Sequence, residues 1–224
     1  MAEDIKTLAI VLRRTNYGEA DRILNLITPE GKISAIVKGV RKERSKLAGG
    51  VEMFCLSELV IHLGRSEMGV VTSARMREHY SEIMKDYDRM TLAGMVLKQI
   101  AKVAEQVDSP EWFDITRQCL TEINNGTNVS LVEAWFWLNL LRVNGEEVNL
   151  YRDISGEPLQ AEARYDWDVG ESAFAVAPGG KYGADEIKIL RLMTKVKLSV
   201  VRKIKTEVDL WGRVLDLARI MAKN

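Results

Sequence analysis

The stretch Phe54-Cys55-Leu56-Ser57-Glu58-Leu59-Val60-Ile61-His62-Leu63 is closed by Gly64. Read alternately, it puts Cys55, Ser57, Leu59, Ile61 and Leu63 on one face. Phe54, Leu56, Glu58, Val60 and His62 fall on the other, less apolar face. A period of two with one more apolar face predicts a half-buried strand. Working outward, Ile5–Arg13, Ile23–Thr28 and Ile33–Val40 precede it as short apolar runs, and Gly69–Met76 follows it. Tyr17-Gly18-Glu19 and Pro29-Glu30-Gly31 punctuate them as turns. Five short strands with turn signals predict a small barrel or sandwich. One such fold, the OB-fold, is a five-stranded Greek-key barrel that binds oligonucleotides on one face. Fold alone does not fix function.

The connection between the third and fourth runs is the most informative for chemistry. Lys38-Gly39-Val40-Arg41-Lys42-Glu43-Arg44-Ser45-Lys46 carries five cations against one acid, followed by the small, flexible stretch Leu47-Ala48-Gly49-Gly50. Cations this dense repel one another unless an anion neutralises them. A phosphate backbone does so and releases condensed counterions, with a salt slope near −0.7 per contact on single strands. Arg13, Arg14, Arg22 and Lys32 are placed to extend this patch. Tyr17 and Phe54 are the stacking candidates, with Phe54 read as core.

The remainder reads as mostly helical. Ile83, Tyr87, Met90, Ala93, Met95, Leu97, Ile100, Ala101 and Ala104 recur at helical spacing and predict a helix from Ser81 to Val107. Asp108-Ser109-Pro110 separates it from a second helix over Glu111–Ile123, ended by Asn124-Asn125-Gly126. Ser130–Val143 is apolar nearly all round, which predicts the central buried helix of a bundle. Residues 146–184 read as irregular, with a possible short strand at Phe174-Ala175-Val176. The final segment, Asp185 to Lys223, is expected to hold two helices; Val200, Ile204, Val208, Trp211, Leu215 and Ala218 form the stripe of an amphipathic one, with Arg202, Lys203 and Lys205 off it.

Composition bounds the function. The chain has 224 residues, 46% apolar and 29% charged, and 32 basic side chains balance 32 acidic ones. That describes a globular protein with a core of its own. The balance hides a division: +3 over residues 1–80, −9 over 81–180 and +6 over 181–224. Two cysteines, Cys55 and Cys119, exclude a disulfide scaffold and a four-cysteine zinc site, and read as small core residues. No apolar run approaches the ~20 residues that span a bilayer. The N-terminus carries Glu3 and Asp4 where a secretory leader is basic, so a cytoplasmic protein is expected. His62 and His79 have no partner at metal-ligand spacing and read as surface or barrel-edge residues. Gly179-Gly180-Lys181 is followed by Tyr182, with Ala175 where a P-loop has glycine. There is no nucleophile elbow. These absences argue against an enzyme and against a cofactor, and least support a metal-dependent nuclease using the acidic middle.

The blocks Lys6-Thr7-Leu8-Ala9-Ile10-Val11-Leu12-Arg13, Tyr17-Gly18-Glu19-Ala20-Asp21-Arg22, Thr28-Pro29-Glu30-Gly31-Lys32, Lys38-Gly39-Val40-Arg41-Lys42 and Leu47-Ala48-Gly49-Gly50-Val51-Glu52-Met53-Phe54 occur in that order. Together they resemble the bacterial DNA repair protein RecO family, most strongly over residues 5–80. The resemblance implies an α+β chain: a five-stranded OB-fold barrel over residues 1–80, then an α-helical bundle domain over 81–224. It implies binding of single- and double-stranded DNA, strand annealing, and a nucleoid-associated, non-enzymatic mediator role. In that role the protein acts with RecR to load RecA onto DNA coated by single-stranded DNA-binding protein. The expected DNA contacts are Lys38, Arg41, Lys42, Arg44 and Lys46, with Arg13, Arg14 and Arg22. The helical domain is expected to dock the acidic C-terminal tail of single-stranded DNA-binding protein, with Arg117, Arg142, Arg202 and Lys203 as candidates. Many members carry a four-cysteine zinc module after the central helix. Here the matching positions are Arg152, Ser155, Gly183 and Glu186, so residues 146–184 are expected to be zinc-free and held by packing through Tyr165, Trp167 and Phe174. The alternative is an OB-fold adaptor that binds a protein and not DNA.

Overall fold

A computed structural model of the chain describes residues 3–64, 68–146 and 148–223, with the backbone alone at Val208. Five strands, β1 Glu3–Tyr17, β2 Asp21–Thr28, β3 Gly31–Val37, β4 Cys55–Leu63 and β5 Gly69–His79, close into a barrel in the order β1-β2-β3-β5-β4. All pairings are antiparallel except the short β3–β5 contact, where Ala35 pairs with Gly69 and Ile36 with Val70. This is the OB arrangement the sequence leads one to expect. The β2–β3 hairpin closes on the Thr28–Gly31 pair, and Gly31 sits at φ +118°, a conformation that glycine alone adopts without strain.

Alternating side chains fill the barrel: Ala9 and Val11, Leu24 and Leu26, Ala35 and Val37, Leu59 and Ile61 all point inward. The more apolar face of β4 is the buried one, as its period predicts. In β1 the run Ala9-Ile10-Val11-Leu12 is buried on both faces. A helix, α1 Tyr87–Val103, covers one of them, joined by α2 Glu111–Asn124. A strand covered on both sides needs no polar alternation, which is why β1 reads as a continuous apolar run.

The predicted helix from Ser81 is in fact two elements. Ser81–Lys85 forms a 3₁₀ turn, and Asp86, in extended backbone, caps α1 by accepting from Arg89 N at 2.9 Å. The aspartate offers the backbone a cap, and the helix begins there rather than five residues earlier. The stretch Leu47–Gly50 also departs from a flexible linker. Ala48–Gly50 is a 3₁₀ turn, and a Cβ on Gly50 would lie 2.7 Å from Ala74. The glycine permits close approach to β5.

The fold gathers into two compact units, Met1–Asn125 and Gly126–Asn224. The change from strand to helix near residue 80 therefore lies inside the first. In the second, α3 Val129–Val143 packs against α4 Ala184–Met193 and α6 Val208–Met221. Asn128 caps α3 by accepting from Leu131 N at 3.1 Å. Trp135, Phe136, Leu138 and Leu141 are buried, whereas Trp137 is half-buried and donates to Glu133 at 3.1 Å. The amphipathic helix expected over the Val200–Ala218 stripe is interrupted, so the described residues from 184 onward hold three helices where two are expected. A short α5, Leu198–Val201, ends before residues 202–207, and Val200 is 47% exposed instead of lying on a buried stripe. Arg202 and Lys205 would stand three apart on one helical face with like charge, and Ile204 and Thr206 are β-branched, so the turn has little local support.

Residues 146–184 carry a folded hairpin. β6 Tyr165–Asp168 pairs with β7 Ala173–Val176. Phe174, fully buried, meets the rings of Tyr165, Trp167 and Tyr182 edge-on at 5.9, 5.1 and 6.4 Å. Gly180 packs on the Tyr165 backbone so closely that a Cβ would lie 2.6 Å away. The four positions that match a zinc module do not fit that ion: none offers a thiolate. Arg152 Nη1 donates to Gly156 O at 2.7 Å instead, and Glu186 accepts from Gly183 N at 2.9 Å and from Arg213 Nε at 2.7 Å. Burial pushes the Glu186 carboxyl up, but the Arg213 guanidinium and the Gly183 N–H outweigh it and hold the group below the usual carboxylate range. Hydrogen bonds and rings occupy the place of a metal.

Candidate nucleic-acid interface

The basic connection between β3 and β4 is folded onto the barrel. Gly39 N donates to Asp21 Oδ1 at 2.7 Å, and Arg41 N donates to Ala20 O at 2.9 Å, which fasten it to the β1–β2 turn. Lys42 N to Gly39 O at 3.1 Å and Ser45 N to Lys42 O at 3.0 Å give it two internal turns. Val40 and Val51 anchor it in the barrel core. Each such buried apolar side chain contributes about 1.5–3 kcal/mol. Those anchors outweigh any one surface ion pair, worth about 0–1 kcal/mol, in fixing the loop.

From that base Lys38, Arg41, Lys42, Arg44 and Lys46 all project into solvent. Among the described residues no carboxylate reaches any of them; Arg41 Nη1 donates only to Gly18 O at 3.3 Å. Five uncompensated cations on a fixed backbone make a strong local positive field.

The flanking cations fare differently. Arg14 and Arg22 both meet Glu52, Arg22 at 3.2 Å, and Arg22 also donates to Asn16 at 3.3 Å. Lys32 is paired with Glu105 at 2.6 Å. Arg13 is exposed and points elsewhere, toward α1. Strand alternation parts Arg13 from Arg14, and a bulge at Leu12 sets which face each takes: Val11 pairs with Leu26 and Arg13 with Asn25, leaving Leu12 the extra residue. Glu52 has no signal in the sequence, because its partners lie 38 and 30 residues away. Tyr17 is 55% exposed and adjoins Gly18, whose carbonyl accepts from Arg41. Phe54 is half-buried at φ +56°, where the chain turns into β4.

The candidate partner-docking cations are split. Arg117 is exposed on α2 in the first unit. Arg142, at the end of α3, and Arg202 and Lys203, just past α5, belong to the second. Arg142 Nε donates to Asn139 Oδ1 at 3.4 Å, while Arg202 and Lys203 are exposed. Cys55 and Cys119 are both buried, and burial pushes both thiols up, so neither is a ready thiolate. His62 is exposed and meets Asp4 at 2.6 Å; His79 is exposed. Among the described residues no helix is long and apolar enough to cross a membrane.

Two family models cover nearly all of the chain. The one described as Recombination protein O N terminal matches residues 1–80, and Recombination protein O C terminal matches residues 84–219. Among similar proteins, the DNA repair protein RecO of Dehalococcoides mccartyi is 28% identical, across 96% of this chain and 87% of that protein. The DNA repair protein RecO of Roseiflexus is 26% identical across 89% of this chain and 68% of its own length. That of Heliobacterium modesticaldum is 33% identical across 78% and 63%.

Proposed function

Because the chain belongs to the recombination protein O family, and so serves DNA repair and recombination, we propose that its barrel holds the sugar-phosphate backbone of DNA through the loop cations. Lys38, Arg41, Lys42, Arg44 and Lys46 contact phosphates and read no bases. The observation that carries this reading is their freedom from carboxylate partners on a loop fastened to a rigid sheet. Free cations release condensed counterions on binding; paired ones must first give up an acid. The function follows without a catalytic group. A cationic surface that accepts one strand lowers its repulsion for a second, so the protein anneals complementary strands. With RecR it helps load RecA onto DNA coated by single-stranded DNA-binding protein. Arg142, Arg202 and Lys203, in the second unit, are the proposed contacts for that protein's acidic tail, and Arg117, in the first, is a separate candidate.

The test is titration of fluorescent oligonucleotides of unrelated sequence, single- and double-stranded, at low and high salt. The reading expects binding that is indifferent to sequence, fades steeply with salt, and is accompanied by faster annealing of complementary strands. An OB-fold adaptor would bind none of them.

Glu52 gives a second expectation. Arg14 and Arg22 are held by it at the surface, where such pairs are worth about 0–1 kcal/mol. Glu52→Gln therefore changes stability little but releases two cations beside the loop. Single-strand affinity is expected to rise and the salt slope to steepen by about 0.7 for each arginine recruited. Anisotropy titrations over a salt series, with a urea melt as control, check both parts.

A further inference from the structure

We propose that the groove between the barrel and α1, within the first unit, receives one unstacked nucleotide of single-stranded DNA, with its base on the apolar floor and its phosphate on the cationic rim. The proposal rests on the DNA-binding reading above and adds to it a site that selects single strands over duplex.

The groove encloses about 430 Å³, within the range of small-ligand clefts. Met53 and Ala101, both part-exposed, supply the apolar floor above the buried Leu12 and Leu97, and Arg13, Lys98 and Lys102 stand around it. Leu12 reaches this wall because it is the bulged residue of β1. Lys98 and Lys102 are four apart on α1, and both are exposed. Gly94, four residues earlier on the same stripe, completes the helix side. A glycine inside a helix weakens it relative to alanine. Yet a Cβ at Gly94 would meet nothing within 4 Å, so no packing demands the glycine. Its effect is to keep the groove open. The single acid of the rim, Glu105, is already neutralised by Lys32 at 2.6 Å, which leaves the rim positive.

Charge and continuity select the occupant. An apolar floor ringed by cations suits a ligand with a flat apolar body and an anionic link, which is the chemistry of a nucleotide. Met53 lies at the end of the connection that bears the loop cations. The site also answers the scarcity of exposed rings near the loop: the base finds an apolar surface in place of an aromatic platform. Paired, stacked bases of a duplex are not free to enter it.

The experiment compares wild type, Gly94→Ala and Gly94→Leu by fluorescence anisotropy with a labelled oligo-dT strand and a labelled duplex, with thermal melts to confirm folding. Leucine favours helix and has open space at its Cβ, so the variant is expected to fold while its side chain fills the groove. The expected result is single-strand binding about tenfold weaker in Gly94→Leu, on the scale of one stacked base, with duplex binding unchanged and Gly94→Ala close to wild type. The proposal is overturned if Gly94→Leu binds oligo-dT as wild type does, or loses strand and duplex equally. It is also overturned if a labelled Asp/Glu-rich peptide binds wild type but not Gly94→Leu while oligo-dT binding is unaffected. Wild type that binds neither DNA overturns the DNA-binding reading as well; wild type that binds both, with an indifferent Gly94→Leu, overturns the groove alone.

Discussion

Joint replacement of Arg41, Lys42 and Arg44 with alanine is expected to flatten the salt dependence of single-strand binding by about 2, at about 0.7 for each lost phosphate contact, and to weaken binding at low salt. The protein should still fold. All three side chains are exposed, and the loop is fastened by main-chain groups, Gly39 N to Asp21 and Arg41 N to Ala20 O, which the substitution leaves in place. Among the described residues, the only side-chain bond lost is the one from Arg41 to Gly18 O at 3.3 Å. Surface changes of this kind alter stability by about 0.5 kcal/mol or less each. The pair of measurements is a salt-series titration and a urea melt. An unchanged slope with an intact fold would remove the loop from the interface.

The second large effect is on stability. Phe174→Ala deletes a fully buried ring that touches three others, Tyr165, Trp167 and Tyr182. Burial of the ring accounts for about 3–5 kcal/mol, and edge-on aromatic pairs add about 0.5–1.5 kcal/mol each. Against a total stability of about 5–15 kcal/mol, the hairpin unit should unfold at markedly lower denaturant. Phe174→Leu, which restores most of the volume, should lose less. Wild type should melt at the same temperature with and without a zinc chelator, because none of the zinc-module positions offers a thiolate, and Arg152, Gly183 and Glu186 are engaged in hydrogen bonds instead. Chelator-sensitive melting would overturn that account of residues 146–184.

The barrel is legible in the sequence for a physical reason. β4 alternates because one face is wet, and the turns at Gly18 and Gly31 are marked by residues that tolerate positive φ. The loop cations are legible because their density is a local property. What escapes is what depends on distant partners. Glu52 neutralises Arg14 and Arg22 across more than thirty and about thirty residues of chain, and no periodicity reports such a pairing. The Leu12 bulge sets which face Arg13 and Arg14 each take, whereas a strict period of two gives no hint of an extra residue. Asp86 starts α1 late because a cap competes with helical propensity, and residues 202–207 break the final stripe because like charges and β-branched residues weaken a pattern that looks continuous on paper. The aromatic residues that hold the hairpin are visible in the sequence, but their mutual edge-on contacts come from pairing Trp167 with Phe174 across β6 and β7.

Lysine footprinting tests the central claim most directly. Limited acetylation is followed by mass spectrometry, with and without a saturating single-stranded oligonucleotide. If the loop cations grip phosphate, Lys38, Lys42 and Lys46 become protected on binding while Lys188, exposed on α4, reacts as before. Bound oligonucleotide that leaves those three lysines as reactive as in the free protein would contradict it.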